Sequence, residues 1–254
     1  MILVNKPISV TPLQAIDSLK LMKPEYKDEI IGYAGRLDPM AEGLLLLLVG
    51  DENKKRKEYE RLDKEYVFEV LLGMETDSYD ILGLITDMRD CEFKINNLKL
   101  TISDALKTFI GTWVQPYPPY SAARVQGKPL YYWARAGKID GVEIPSKEII
   151  VSNLELDTIE QVTLNDIKDD IVARINGVDG EFRQDVILKR WNEVFQKRGN
   201  DSFIKLTCTI QCSSGTYVRS IANQIGTKLG SGALAYSIKR TRIGDYKICY
   251  SITV

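Results

Sequence analysis

Apolar residues recur at two different spacings along this 254-residue chain, and the switching between them predicts strands and helices mixed without a repeating βαβ unit. Glu65 to Leu72 reads as a strand with Tyr66, Phe68, Val70 and Leu72 on one side. Ile204, Leu206, Cys208 and Ile210 alternate in the same way, as in a half-buried strand. Further strands are expected at Ile2 to Val4, Glu148 to Leu156 and Tyr246 to Tyr250, and the apolar run Leu44 to Val49 suits a strand in a core. Helical spacing begins at Thr11-Pro12, an N-cap followed by proline at the first helical position, with Leu13, Ile16 and Leu19 on one face. Ser103 is placed to cap a helix through Ile110, and Tyr131 to Ala136 suits a short helix. Glu181 to Arg198 carries Leu188, Trp191, Val194 and Phe195 in helical register, as Thr216 to Leu229 carries Val218, Ile221, Ile225 and Leu229. Glu52 to Asp63 is a highly charged helix candidate whose mixed signs suggest a solvated surface. Gly73 and Gly83 bracket a loop holding Thr76, Asp77, Ser78 and Asp80, and Gln115 to Tyr120, with three prolines, is expected to be an extended loop. These elements predict one α+β domain on a largely antiparallel sheet.

Composition narrows the chemistry more than the fold. The chain has no histidine, which excludes Ser-His-Asp and Cys-His nucleophile systems and histidine-ligated zinc. Proton transfer must rest on Asp, Glu, Lys, Tyr or Cys. The cysteines Cys91, Cys208, Cys212 and Cys249 are scattered; Cys208 and Cys212 are spaced as same-face residues of one strand and read as packed thiols. Lys6 and Pro7 interrupt the opening apolar residues, so no signal peptide pattern is expected, and no apolar run is long enough to span a bilayer. A reducing cytoplasm fits this usage. The net charge of -1 does not advertise a nucleic-acid binder. Locally, Pro119 to Ile139 has no acidic residue but carries Arg124, Lys128, Arg135 and Lys138, and Lys239, Arg240 and Arg242 form a second basic cluster. Either patch suits a phosphate backbone or a solvated face.

Four segments carry candidate chemistry. In Gly35-Arg36-Leu37-Asp38-Pro39-Met40-Ala41-Glu42-Gly43, Pro39 pushes Asp38 out of the helical region and the glycines allow a tight bend. This suits a rigidly positioned nucleophile, and equally an Asx-turn. Tyr66 opens a strand after Lys64-Glu65, a position often used for packing. Pro116 to Lys128 combines aromatics and cations on an extended segment, as looped RNA requires, or forms a Pro-rich surface loop. In Cys212 to Ser220 a strand passes through a Ser/Gly turn into a helix, placing Tyr217 and Arg219 in its first turn. A cation there opposes the helix dipole, so Arg219 calls for an acidic partner unless it is simply solvated.

Taken together, these segments resemble the TruB family of pseudouridine synthases, the enzymes that make pseudouridine-55 in the T-loop of tRNA. The likeness runs from about Ile2 to Ile248 and is carried by Lys6-Pro7, Gly35 to Pro39 with Gly43, Lys64 to Tyr66, Leu72-Gly73 with Thr76-Asp77 and Asp80, the Pro-rich loop through Gly127-Lys128, Ala134-Arg135 with Gly137, Cys212-Ser213 with Gly215 to Arg219, and Leu229-Gly230 with Gly232-Ala233. The resemblance implies a single pseudouridine synthase domain over residues 1–254: a mixed, mainly antiparallel sheet with flanking helices. It implies that Asp38 attacks the ribose or assists glycosidic cleavage, after which the freed uracil rotates and rebonds through C5. Arg219 would pair with Asp38, favouring its ionised form. Tyr66 would stack on the target base near the C5 proton lost at the end, Tyr217 would line the pocket, and Ile238 would pack by the base. Lys64, Arg124, Lys128 and Arg135 become RNA contacts. Reaching Asp38 requires the uridine to flip out of its stack. No metal or other cofactor is implied; the partner is tRNA, with no membrane, and a monomer is the default.

The chain departs from that pattern. Tyr33 stands where bacterial members usually carry a histidine involved in flipping, and could stack but not act as an imidazole. Glu42 replaces a small hydroxyl residue and adds negative charge near the expected phosphate path. The region around 157–201 is longer than expected and carries an extra helix. The chain leaves no room for a C-terminal PUA-type domain, so tRNA affinity is expected to come from the catalytic domain. Two rival readings are guide-RNA-directed modification of ribosomal RNA, and a non-catalytic tRNA-binding or RNA-folding protein.

Overall fold

A computed structural model describes residues 1–89 and 98–254. Strand β1 (Ile2–Lys6) leads into helix α1 (Pro12–Met22). Strands β2 (Ile31–Ala34) and β3 (Ala41–Val49) flank the loop that holds Asp38. Helix α2 (Arg56–Arg61) precedes β4 (Lys64–Leu72), which runs on into the hairpin of β5 (Met74–Thr76) and β6 (Ile85–Met88). Next come α3 (Leu98–Lys107), β7 (Gly111–Pro116), the small hairpin of β8 (Arg124–Val125) and β9 (Lys128–Pro129), and α4 (Leu130–Arg135). The long β10 (Ser146–Thr163) is followed by α5 (Leu164–Asn176) and α6 (Gln184–Arg198). Then follow β11 (Ser202–Cys212), α7 (Val218–Leu229), β12 (Ala233–Ile243), β13 (Tyr246–Lys247) and β14 (Ile252–Thr253).

The main sheet has the order β14-β1-β3-β12-β4-β11-β10-β7, with β2 added to β3 and β13 to β12. Its pairings are antiparallel except β1 with β14 and β3 with β12, which agrees with the expected mixed, mainly antiparallel α+β architecture. One face of β4 presents Tyr66, Phe68, Val70 and Leu72 to a core shared with α3 and α7. The opposite face carries Leu71, Leu234 and Tyr236 against α5 and α6, where Trp191 is fully buried and donates its indole N–H to the Ile81 carbonyl at 3.2 Å. Leu44 to Leu48 are all fully buried, each contributing about 2 kcal/mol of apolar burial. Among the described residues, no helix is long and apolar enough to cross a membrane.

Several sequence expectations are corrected. Thr11 does cap α1, in a capping box with Gln14, but Leu13 points outward and Pro12, Ala15, Ile16 and Leu19 form the buried face. Residues 50–55 form a 3-10 turn, leaving only Arg56–Arg61 as α-helix. Ser103 lies inside α3, which begins five residues earlier. Gln115 and Pro116 finish edge strand β7, where a proline costs no central ladder bond, so the extended loop begins at Tyr117. Residues 248–250 turn as a 3-10 helix instead of continuing a strand. The segment expected to hold one extra helix holds two, and β10 extends to Thr163 to meet them. Cys208 and Cys212 are buried same-face thiols as expected, and burial pushes them up to about 12 and about 11. Cys91 lies outside the described residues.

Helix α7, which carries Arg219, sits close on β12 because Gly226 has no side chain: a Cβ there would lie 2.2 Å from the Ala233 nitrogen. In an ordinary helix Gly→Ala gains about 1 kcal/mol. Here Gly226→Ala should instead destabilise the fold by about 1–3 kcal/mol in urea unfolding, because overpacking outweighs propensity. A stabilised variant would contradict this packing.

Candidate active site

The loop bearing Asp38 is anchored from three directions. Gly35 takes a left-handed conformation (φ +73°), and its carbonyl accepts from Arg240 Nη2 at 2.9 Å, while Arg240 Nε donates to the Leu44 carbonyl at 2.7 Å. The Pro39 carbonyl accepts from the Ser9 amide at 2.8 Å, and the Asp38 carbonyl from the Ala41 amide at 3.0 Å. The Ser9 turn is in turn pinned by Lys6, whose buried ammonium donates to the carbonyls of Pro7 and Val10 at 2.8 and 2.5 Å. Burial is the main cause that pulls the Lys6 ammonium down to about 7, although Asp38 works in the other direction.

Opposite this loop, β11 ends at Cys212, turns through Gly215 (φ +83°) and enters α7. Tyr217 is the N-cap residue and lends no side-chain cap; instead Gln115 accepts from the Tyr217 amide at 2.8 Å and donates to its carbonyl at 3.2 Å. Arg219, 3% exposed, donates Nη1 to the Ser78 carbonyl at 2.8 Å and Nη2 to the Tyr120 carbonyl at 2.9 Å. Its Nε lies 3.0 Å from Asp38 Oδ2. That third contact is an ion pair out of hydrogen-bond alignment, since Nε makes no hydrogen bond. Burial works against the charge of Arg219, but Asp38 and then Asp80 outweigh it and hold the guanidinium more firmly protonated. The acidic partner expected for Arg219 is therefore Asp38, whose side chain stays 33% exposed toward the cleft.

The cleft has a volume of about 830 Å³, within the range of small-molecule sites. Its walls bring together Asp38, Arg219, Tyr66, Tyr217, Ile238, Tyr33, Lys64 and Arg135 of the sequence-predicted residues. Tyr217 meets Tyr117 edge-on, with ring centres 5.6 Å apart. Burial pushes the Tyr66 phenol up despite the nearby Arg240 guanidinium, and burial with Asp38 pushes Tyr217 up to about 12. Both rings are thus neutral at physiological pH and offer an apolar face with a polar tip. The Tyr33 hydroxyl accepts from Arg36 Nη2 at 3.1 Å, and Arg56 lies over its ring.

The basic residues divide. Lys64 is buried in the cleft wall, with its ammonium bonded to the carbonyls of Glu60 and Leu62, and burial pulls it down to about 8. Arg135 lies over the rings of Tyr131 and Phe182 and donates to the Glu181 carbonyl at 2.6 Å. Arg124 and Lys128 are outside the cleft on the exposed β8–β9 hairpin, where Lys128 sits 3.9 Å above the Tyr132 ring. The cluster at 239–242 does not form one exposed basic patch. Arg240 is buried in loop anchoring, Lys239 pairs with Glu42, and Arg242 pairs with Glu65. The same Lys239 contact answers the extra charge of Glu42, which does not line the cleft.

Sequence reasoning missed the site roles of Lys6, Asp77, Asp80, Tyr120 and Arg183. Asp80 accepts from Ser78 Oγ at 2.7 Å and the Leu82 amide at 3.0 Å; burial is the main cause that pushes it up to about 6, against the pull of Arg219. Asp77 accepts two bonds from Arg183 and one from the Tyr120 hydroxyl. Gly73 and Gly83 marked the turn that carries Asp77 and Asp80, but no sequence signal singled out Arg183.

Comparison with known proteins places this geometry in context. The TruB family pseudouridylate synthase N-terminal domain matches residues 23–172. The tRNA pseudouridine synthase B of Parabacteroides distasonis is 30% identical over 95% of this chain and 84% of its own length. That of Chloroherpeton thalassium is 32% identical over 100% of this chain and 86% of its own. For the Thermosipho melanesiensis protein of the same name, at 30% identity, the match covers 63% of its length. Among solved structures, a chain of a Cbf5-Nop10-Gar1 complex superposes with a TM-score of 0.60 at 20% identity, over 100% of this chain and 51% of that one. That last likeness is one of fold.

Asp80 sets a pH dependence. Its folded pKa is raised from the usual 3.8 to about 6, so between these values the folded state holds a proton the unfolded state has lost. The contribution of Asp80 to stability must therefore fall as pH rises through that window. Relative to Asp80→Asn, the wild type should lose about 2 kcal/mol of unfolding free energy between pH 4 and pH 7. Parallel pH profiles for the two proteins would contradict the buried-acid assignment.

Proposed function

The chain belongs to the TruB family of pseudouridylate synthases, and from that premise we propose that it isomerises the T-loop uridine of tRNA, position 55, to pseudouridine with Asp38 as nucleophile. The observation that carries this reading is the Asp38–Arg219 pair, 3.0 Å apart, at an aromatic-walled cleft whose volume of about 830 Å³ leaves room for an extruded nucleoside. The Asp38 carboxylate attacks ribose C1′, or stabilises the cation there, as the C1′–N1 bond breaks. The uracil, freed as its N1 anion, turns so that C5 faces C1′; the C1′–C5 bond forms as any Asp38–C1′ bond breaks and returns the carboxylate, and the proton lost from C5 is matched by one gained at N1. Tyr66 and Tyr217 supply neutral ring faces that hold the base through its rotation, and Ile238 closes the apolar wall. A carboxylate supported by a guanidinium needs no imidazole, which suits a chain without histidine. Removing the base from its stack costs a few kcal/mol, to be offset by these ring contacts. Tyr33, on the cleft wall beside Arg36 and Arg56, is placed to stack on a neighbouring base. Arg135 at the rim and Lys128 on the adjoining hairpin supply the phosphate contacts that the near-neutral net charge does not.

Asp38→Asn should abolish pseudouridine formation on an unmodified tRNA transcript while leaving tRNA affinity within a few-fold. Substantial residual turnover would refute the nucleophile assignment, and product appearing only with an added guide RNA would replace the proposed substrate selection. Neutralising Lys128 and Arg135 together should weaken tRNA binding and flatten its dependence on salt by about one to two units of log–log slope. An unchanged slope would remove these two residues from the RNA path.

A further inference from the structure

The two helices α5 and α6 interrupt what would otherwise be a direct turn from β10 to β11, and the segment joining them reaches the cleft. Phe182 and Arg183 from this segment line the same cavity as Asp38. Arg183 takes a left-handed backbone conformation (φ +66°), which a residue with a side chain adopts only where its surroundings hold it. Gln184 supplies that restraint: its side chain accepts from the Phe182 amide at 2.9 Å and donates to the carbonyls of Val178 and Gly180 at 2.8 and 2.7 Å. The turn is thus fixed in a form that aims one guanidinium at the site.

Arg183 meets Asp77 as a two-pronged fork, Nη1 to Oδ2 at 2.7 Å and Nη2 to Oδ1 at 3.1 Å, with both side chains mostly buried. The same Asp77 oxygen Oδ2 accepts the Tyr120 hydroxyl at 2.9 Å, and the Arg183 guanidinium lies 4.2 Å from the Tyr120 ring centre. Asp77 Oδ1 also accepts the Leu84 amide at 2.9 Å. The Tyr120 carbonyl and the Ser78 carbonyl, one residue beyond Asp77, are the two acceptors that fix Arg219 beside Asp38. One hydrogen-bonded chain therefore runs from the inserted helices through Asp77 and Tyr120 to the Arg219–Asp38 pair. The insertion braces the opposite side as well, since Ser9, whose amide holds the Pro39 carbonyl, donates its hydroxyl to the Arg174 carbonyl of α5 at 2.7 Å.

We propose that Arg183 is a positioning residue for the reaction: the inserted helical pair locks the Tyr120 and Ser78 carbonyls through the Arg183–Asp77–Tyr120 cluster and thereby sets the Arg219–Asp38 geometry. This rests on the proposed function for its catalytic consequence, but not for its structural one. A guanidinium that only bound RNA would be expected to face solvent with open donors. Arg183 instead spends its fork on an internal carboxylate, which a lysine cannot match bidentately.

The test uses the full chain and Arg183→Ala, Arg183→Lys, Asp77→Asn, Tyr120→Phe and the double variant Arg183→Ala/Asp77→Asn. Hydrogen exchange on the free proteins, read at the amides of Leu130 and Tyr131, which bond to the Ala123 and Ser121 carbonyls, reports the loop directly and needs no RNA. Arg183→Ala and Tyr120→Phe should each speed that exchange by about tenfold, as expected for loss of one charge-assisted contact. Single-turnover pseudouridine formation at saturating tRNA should fall about tenfold or more in Arg183→Ala with the tRNA Kd within threefold, and Arg183→Lys should recover part of the rate. The double variant should be no slower than the worse single one, because the two residues act through one contact. Unchanged loop exchange in both Arg183→Ala and Tyr120→Phe would overturn the proposal, as would a loss confined to tRNA affinity or fully additive effects. If the wild type makes no pseudouridine, the proposed function fails, and the exchange measurement still decides whether Arg183 locks the loop.

Discussion

One guanidinium organises the site. Arg219 is buried, donates to carbonyls from two separate segments, and stands against the Asp38 carboxylate. Burying a charge costs several kcal/mol unless it is both paired and hydrogen-bonded, and charge-assisted bonds return about 1.5–3 kcal/mol each. The Ser78 and Tyr120 carbonyls and the carboxylates of Asp38 and Asp80 together meet that condition. The consequence is mutual: the loop at 35–40, the turn after β5 and the Pro-rich segment after β7 are each held where Arg219 can be satisfied, so the geometry of the cleft and the local stability share one cause.

The remaining features of the cleft follow from this arrangement. The loop of Asp38 is stiffened from behind by Arg240 and, through the Ser9 turn, by Lys6. Those two cations do structural work, so in the proposed function the electrostatic attraction of RNA falls to the rim and to the β8–β9 hairpin. The phenols of Tyr66 and Tyr217 are held neutral by burial, so the cleft presents ring faces and one solvent-reached carboxylate. In the proposed reaction that contrast is what matters: charge is available at the sugar, and apolar surface at the base.

Much of this was legible in the chain itself. The alternation through Glu65 to Leu72 gave β4 and its buried face, and the cation set against the dipole of α7 correctly called for an acid. Asp38, Tyr66 and Tyr217, which stand in the motifs, and Ile238, which the family resemblance implied, do share one cleft. Other parts left no periodic trace. Strand β12 lies between β3 and β4 and is covered on both faces, so it does not alternate; single residues of it were noticed but not the strand, and buried Arg240 is neither of the two things its basic cluster suggested, a phosphate contact or a solvated face. Helix α5 did carry a signal, the capping box of Thr163 and Asp166, which went unread beside the stronger pattern of α6. The contact between Arg183 and Asp77 joins residues more than a hundred positions apart, and no local rule can anticipate it.

The most direct measurement is the single-turnover rate of Arg219→Lys at saturating tRNA, set beside the wild type, with tRNA affinity measured in parallel. Lysine keeps the charge but cannot reach Asp38 and both carbonyls from one rigid plane. The expected result is a loss of about a hundredfold or more in rate with affinity nearly unchanged, as for a nucleophile displaced by a fraction of an ångström to an ångström. A rate within a few-fold of the wild type would contradict the central role given to the Arg219–Asp38 pair.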